Sequence, residues 1–399
     1  MNILLVDFWN VINSTGGTEK VLCNMANEFV NRNYKVAIMC CDPNEGKPFF
    51  FLNEKVEFIN LNGTGKEYKG SSLLRIEREL LRVLGKLDKD KFHAKTKYNN
   101  NVKNIIKKTI LKLEPNVIIV FDPYSLICFE YLIKPEIPII AMLHMNAESF
   151  FNEQMSKTLL EAFRNVSCIQ TLTKKDVDIV KKFLPESKVV YIPNIVFENS
   201  TVRNQINNVV INVGRIDEKQ KRQLDLIKAF NLLDKRKYKK WTLELVGGTA
   251  EKSQESYKSK IINYIKNNNL SNRVILLGEI KNISEKLQEA DIFAFPSAYE
   301  GMPLALTEAM AAGLPAIGYK SCPSVNELIV DGVNGFLCED GIDDFSEKLK
   351  ILMQDAELRK KMGQNARESM KQFAPEKIWD EWEDLINKVI SDFKKDQYK

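Results

Sequence analysis

Apolar and polar positions along the chain sort into two kinds of segment that take turns. Short β-branched runs, NILLVDF (2–8), KVAIMCC (35–41), NVIIVFD (116–122), IPIIAMLH (137–144), VSCIQTLT (166–173) and KVVYIPN (188–194), are apolar almost without a break. That is the pattern of strands buried on both faces. Between most of them lie helical patterns such as EKVLCNMANEFVNRN (19–33) and KDVDIVKKFL (175–184). The polar, aperiodic stretch IVFENSTVRNQINN (195–208) reads as a linker, after which the alternation restarts with VVINVGR (209–215), WTLELVGG (241–248), RVILLGE (273–279), DIFAFPS (291–297) and PAIGY (315–319). Strands alternating with helices predict parallel sheets covered on both faces, and the restart predicts two of them.

The expected organisation is α/β: two doubly wound Rossmann-like domains, 1–198 and 199–375, facing a cleft, with a basic helical insertion at about 63–98. Residues 376–399 form a terminal helix whose apolar stripe, Ile378, Trp379, Trp382, Leu385, Ile386 and Val389, must be covered, and the N-terminal domain is the expected cover. A length of 399 residues suits two domains. Seven cysteines without metal-ligand spacing read as buried free thiols of a reducing compartment, and with only His93 and His144 a histidine-rich metal centre is excluded. No secretory leader is read at the N-terminus, and Asp122 and Glu130 interrupt the most apolar stretch, so a cytoplasmic protein is expected.

The net charge of +5 is concentrated: residues 66–112 hold fourteen Lys or Arg against five Asp or Glu. Within them, Leu73, Leu74, Ile76, Leu80, Leu81, Leu84 and Leu87 recur at helical spacing, with Arg75, Arg78, Arg82 and Lys86 on or beside that face. A solvated insertion fits this pattern; so does a basic amphipathic helix lying on an anionic membrane surface. Nucleic acid is not an expected partner, since neither interleaved aromatic residues nor a binding motif accompany the charge.

Three segments carry candidate chemistry. In NSTGGTEKV, Gly16 and Gly17 open a helix after the first strand, where a backbone can approach an anion closely; a plain strand-to-helix turn reads the same way. In VGRIDEKQKRQ, Arg215, Lys219, Lys221 and Arg222 follow a strand C-terminus, suited to the negative charge of a diphosphate leaving group or to a solvated loop. In YEGMPLALTEAMAAG, Glu300 and Glu308 flank a helix start at Pro303. The amides of Leu304, Ala305 and Leu306 would make a phosphate seat there, with the two carboxylates suited to the diols of a ribose and a sugar.

At these residues the chain resembles the GT-B glycosyltransferases of the family 4 type, whose E-x7-E motif matches Glu300 to Glu308 within YEGMPLALTEAMAAGLPAIG. The resemblance extends through GGTEKVLCNMANEF, VGRI, IPN and NELIVDGVNGFLCED. It implies a retaining transferase that takes a nucleotide-diphospho-sugar, most often a UDP-sugar, to a glycan or lipid-linked acceptor, without a metal or other cofactor. It implies Glu308 on the ribose, Glu300 at the transferred sugar, Arg215 and Lys221 on the diphosphate, and His144 on donor sugar and phosphate. Gly16, Gly17, Asn194, Gly301, Met302, Pro303, Leu304 and Ala305 complete the implied donor-binding set. The Arg-to-Lys spacing is one residue longer than in that family, which leaves Lys219 as the alternative to Lys221. A sugar-nucleotide epimerase of the same shape, or an inactive sugar-nucleotide-binding partner, shares most of these features. The D-x-D at Asp176 and Asp178 falls in a helical pattern and reads as a charged face.

Overall fold

The computed structural model describes residues 1–9, 11–61, 72–97, 100–198, 207–249 and 251–397. These divide into two compact units, Met1–Pro193 with Trp379–Lys399, and Asn194–Ile378.

Unit 1 is built on seven strands: β1 (Asn2–Asp7), β2 (Lys35–Cys40), β3 (Glu57–Asn60), β4 (Val117–Val120), β5 (Ile139–Leu143), β6 (Cys168–Thr171) and β7 (Val189–Tyr191). They pair in the order β3-β2-β1-β4-β5-β6-β7, every pair parallel. Parallel neighbours need crossover helices, and those helices cover both faces; hence Ile3, Leu4, Leu5 and Val6 are all buried, with no alternation. Unit 2 repeats the plan with β8 (Val209–Val213), β9 (Thr242–Val246), β10 (Val274–Gly278), β11 (Ile292–Phe295), β12 (Ala316–Tyr319) and β13 (Gly335–Cys338), ordered β10-β9-β8-β11-β12-β13 and all parallel. Strand order reverses between β1 and β4 in the first sheet and between β8 and β11 in the second. In doubly wound sheets ligands bind at such switch points, outside the strand C-termini.

Gly247, just past β9, has φ +147°, and a Cβ there would stand 2.0 Å from the Gly214 carbonyl oxygen. Only glycine lets these two strand ends lie this close, and the contact fixes the start of the loop after β8.

The helix Pro375–Gln397 buries its whole apolar stripe, with Trp379, Trp382 and Ile386 at 3%, 2% and 0% exposure. Trp379 packs edge-on to Phe29, Arg32 Nη1 lies 2.7 Å from both Asp380 and Glu383, Tyr34 donates its hydroxyl to Glu383, and Lys188 reaches Asp392 at 3.1 Å. The chain's last helix is thereby stapled to the unit in which the chain begins. All seven cysteines are buried free thiols.

The basic segment forms the helices Ser72–Val83, Lys89–Lys97 and Asn100–Leu113. Residues 62–71 and the side chains of Leu73, Leu74 and Arg75 lie outside what is described. On the first helix and just past it Ile76, Leu80, Val83 and Leu84 are exposed, between 57% and 84%, while Leu81 and Leu87 are half-buried. Among the described residues no helix is long and apolar enough to cross a membrane.

Candidate functional site

The loops leaving β8 and β11 meet at the switch point of unit 2. Asp217 turns the first of them on itself: its Oδ1 accepts the amides of Lys219 at 3.0 Å and Gln220 at 2.7 Å, and its carbonyl accepts that of Arg222 at 2.9 Å. Buried Gln223 holds the other side, donating Nε2 to the Arg215 carbonyl at 2.8 Å and accepting the Asp217 amide at 3.2 Å. This frame projects the Arg215 guanidinium, whose side chain is 52% exposed, with Asp217 4.0 Å away. It turns Lys221 the other way. The Lys221 stem lies over Gly214, its ammonium stands 5.2 Å from the Phe295 ring centroid, and Nζ is 2.5 Å from Glu300 Oε1. Lys219 is exposed in the turn, so of the two candidate lysines it is Lys221 that the fold brings to the glutamate.

Gln220 welds the two loops. Its carbonyl accepts the Ala298 amide at 2.8 Å, and its Nε2 reaches the Tyr299 carbonyl at 3.2 Å and Glu300 Oε2 at 3.4 Å. Ser324, held at φ +66°, donates its hydroxyl to the Glu300 carbonyl at 3.2 Å. A non-glycine residue in the left-handed region is uncommon, and strain of this kind gathers at functional sites. Glu300 is thus 6% exposed with both carboxylate oxygens engaged by protein. The thiol of Cys322 is pushed well above its ordinary range, first by burial and then by the charge of Glu300.

Glu308 is half-buried, the fifth residue of the helix Leu304–Ala311. Pro303 stands at the N-cap, one position earlier than its sequence reading as a first helical residue, with φ −73° and ψ 105°. The amides of Leu306 and Thr307 both turn back to the Pro303 carbonyl at 3.1 Å, which corrects the expected three-amide seat by removing Leu306. Leu304 and Ala305 are the first two helical residues, whose amides have no acceptor within a helix. Gly301 and Met302 are buried in the loop before it, and the Met302 sulfur accepts the Asn194 amide at 3.2 Å.

In unit 1, His144 directly follows β5 and stacks on Phe121, ring centroids 5.3 Å apart. Its Nε2 is buried with no hydrogen-bond partner among the described residues, and desolvation pushes its pKa down to about 4. The imidazole is therefore neutral at pH 7, able to exchange one hydrogen bond but supplying no positive charge. Gly16 caps the helix Gly17–Asn31, and a Cβ on it would stand 2.2 Å from Glu19 Oε2. A carboxylate already lies at this helix N-terminus, so an anion arriving there would meet like charge.

Asp176 and Asp178 point apart. Asp178 is exposed, as a charged face requires, while Asp176 is buried and accepts the Ala147 amide at 3.1 Å, which corrects that reading for Asp176. Among the described residues no group of three or more His, Cys, Asp or Glu side chains is placed to hold a metal ion.

Gln220, Gln223 and Ser324 are the site residues that sequence reasoning missed. The one available signal was their place, Gln220 next to Lys221, Gln223 two residues past it, and Ser324 in the SCPS turn after β12.

Residues 196–369, nearly the whole of unit 2, match the family model for glycosyl transferases group 1. Over the full chain, an uncharacterized glycosyltransferase of Haemophilus influenzae is 26% identical, covering 94% of this chain and 97% of its own length. The Campylobacter jejuni GalNAc-alpha-(1->4)-GalNAc-alpha-(1->3)-diNAcBac-PP-undecaprenol alpha-1,4-N-acetyl-D-galactosaminyltransferase is 23% identical, over 94% and 96%. Among solved structures, TarM of S. aureus in complex with fondaparinux, alpha-GlcNAc-glycerol and UDP superposes with a TM-score of 0.75 at 16% identity, covering 97% of this chain and 99% of that one. At that identity the likeness shows the GT-B fold alone.

Proposed function

We propose that this chain, a glycosyltransferase whose second unit belongs to group 1, moves a sugar from a UDP-sugar to a glycan or lipid-linked acceptor with retention at the anomeric carbon, in polysaccharide synthesis. The observation that carries the reading is the grouping at the β8–β11 switch point. There Arg215, Lys221 and Glu300 stand on two loops joined by Gln220, and the helix that follows the second loop carries Glu308 and begins with the amides of Leu304 and Ala305. Cations and a helix N-terminus suit a diphosphate; carboxylates at the same place suit hydroxyl donors and disfavour a bare anion. UDP in the TarM complex and the undecaprenol-linked acceptor named for the Campylobacter relative support the choice of nucleotide and acceptor.

In this reading the amides and Arg215 hold the diphosphate, Glu308 takes the ribose diol, and Glu300 the transferred sugar. As the glycosidic bond to phosphate breaks, charge grows on the leaving oxygen beside the guanidinium, where a fixed cation lowers the barrier. That oxygen takes the acceptor proton on the face from which the acceptor attacks, so neither glutamate acts as nucleophile. His144 contributes a neutral hydrogen bond to a sugar or phosphate oxygen. In this reading the Arg215 guanidinium and the helix amides face the diphosphate and no divalent metal takes part, so activity without one is expected. A thermal-shift panel of UDP-, GDP- and ADP-sugars in EDTA tests this: a UDP-sugar should raise Tm. Stabilisation by GDP- or ADP-sugars alone, or activity lost in EDTA and restored by manganese, would contradict it.

The basic helix supports a further part of the reading, peripheral docking at the cytoplasmic membrane face. Ile76, Leu80, Val83 and Leu84 are exposed beside Arg78, Arg82 and Lys86. Each cation near an anionic surface contributes about 1 kcal/mol, enough in sum for reversible docking. Binding to anionic vesicles should be salt-sensitive and lost when Arg75, Arg78, Arg82 and Lys86 are all changed to Glu, with the melting transition retained. Equal binding to neutral and anionic vesicles, or to neither, would make this segment a solvated insertion.

A further inference from the structure

The Lys221–Glu300 pair has a consequence for how the site fills and empties. A lysine meant for a diphosphate is already neutralised, 2.5 Å from a carboxylate, with side-chain exposures of 17% and 8%. Arg215 is placed otherwise, half-exposed with its nearest carboxylate at 4.0 Å. One cation is open to an arriving anion and the other is occupied. We propose that Glu300 is an internal counter-ion which a diphosphate must displace from Lys221, so that the site retains an intact sugar donor in preference to the diphosphate product. The proposal rests on the reading of this site as a diphosphate site.

When Lys221 turns to phosphate, Glu300 loses its 2.5 Å partner and keeps Gln220 Nε2 at 3.4 Å, a weak bond for a charge that is almost wholly buried. Its backbone is held by Ser324 and the Tyr299 carbonyl by Gln220, so the glutamate is poorly placed to swing out toward water. A bare diphosphate leaves that carboxylate underbonded. An intact donor brings sugar hydroxyls that replace the lost ammonium hydrogen bonds. After transfer the hydroxyls depart with the acceptor, Glu300 recaptures Lys221, and the diphosphate is left to Arg215 and the helix amides. The pair is thereby a device for product release, and Gln220, which holds the second oxygen, is a positioning residue for it.

The test titrates inorganic pyrophosphate into wild type, Glu300→Gln, Glu300→Asp, Lys221→Met and the Glu300→Gln/Lys221→Met double variant, each checked by its melting transition. Glu300→Gln should bind pyrophosphate about tenfold more tightly or better, the size of one charge-assisted hydrogen bond released. Glu300→Asp keeps the charge but withdraws it from Nζ, so it should shift affinity in the same direction by less, and it stands in should the Gln variant not fold. In the Lys221→Met background the Gln substitution should change affinity by less than about threefold, because the lysine to be freed is gone. Unchanged or weaker pyrophosphate binding by both Glu300 variants overturns the proposal, as does an equal gain with and without Lys221, which would be general charge repulsion. UDP titrated in parallel separates the two ideas. Tightened pyrophosphate with no UDP binding by any form keeps the counter-ion and removes the UDP-sugar reading.

Discussion

Replacing Arg215 with Ala should lower turnover by about two to three orders of magnitude at saturating donor, with a much smaller change in donor affinity. The guanidinium is held by its backbone: Gln223 fixes the Arg215 carbonyl, and the Gly214–Gly247 contact fixes the residue before it. The side chain itself is free to face a ligand, half-exposed and 4.0 Å from Asp217. Charge on the leaving diphosphate is greatest at the transition state, so that is where a nearby cation matters most. Arg215→Lys should recover only part of the rate, because an ammonium presents a point charge where the guanidinium offers a fork of donors. Steady-state kcat and KM for donor check both substitutions. An Ala variant with unchanged kcat and raised KM would place Arg215 in ground-state binding instead.

Glu308→Ala should act on the other side of that division. Donor affinity should fall by about ten- to a hundredfold, the range expected for one hydrogen bond to a charged group at about 1.5–3 kcal/mol. The rate on saturating donor should stay within about threefold of wild type, since the ribose is remote from the breaking bond. Glu308 is half-buried in the first turns of the helix Leu304–Ala311, whereas Glu300 is buried beside Lys221. The two acids of one motif should therefore give opposite results on bare UDP, weakened in Glu308→Ala and tightened in Glu300→Gln. Calorimetric titration reads this directly, and donor affinity unchanged in Glu308→Ala would remove the ribose role.

What the sequence made legible follows burial. The central strands VVINV and IFAF are apolar on both faces because helices cover both faces, so two doubly wound sheets could be read from them directly. Two of the four edge strands were harder. EFIN (β3) starts on an exposed glutamate and is only half-buried, and GFLC (β13) is half-buried at its two central positions, so neither shows a decisive period. In the candidate site, Glu300, Glu308, Arg215 and Lys221 could be named because chemistry and a family resemblance select those residue types. Gln220 could not: its part depends on a loop 79 residues further along the chain. The same limit hid Glu19 over Gly16, since a first-turn acid is ordinary at a helix start and only the fold shows where its carboxylate lies. Asp176 shows the converse, an acid that belonged on a polar face by pattern and caps a neighbouring helix by tertiary contact.

The most direct measurement follows a UDP-sugar and a polyprenyl-diphosphate-linked glycan together by proton NMR. It records free UDP and the anomeric configuration of the transferred sugar at the same time. One UDP should be released per sugar transferred, only when acceptor is present, and an α-configured donor should give an α-linked product. An inverted linkage, or a donor sugar that changes configuration with no nucleotide released, would contradict retaining transfer.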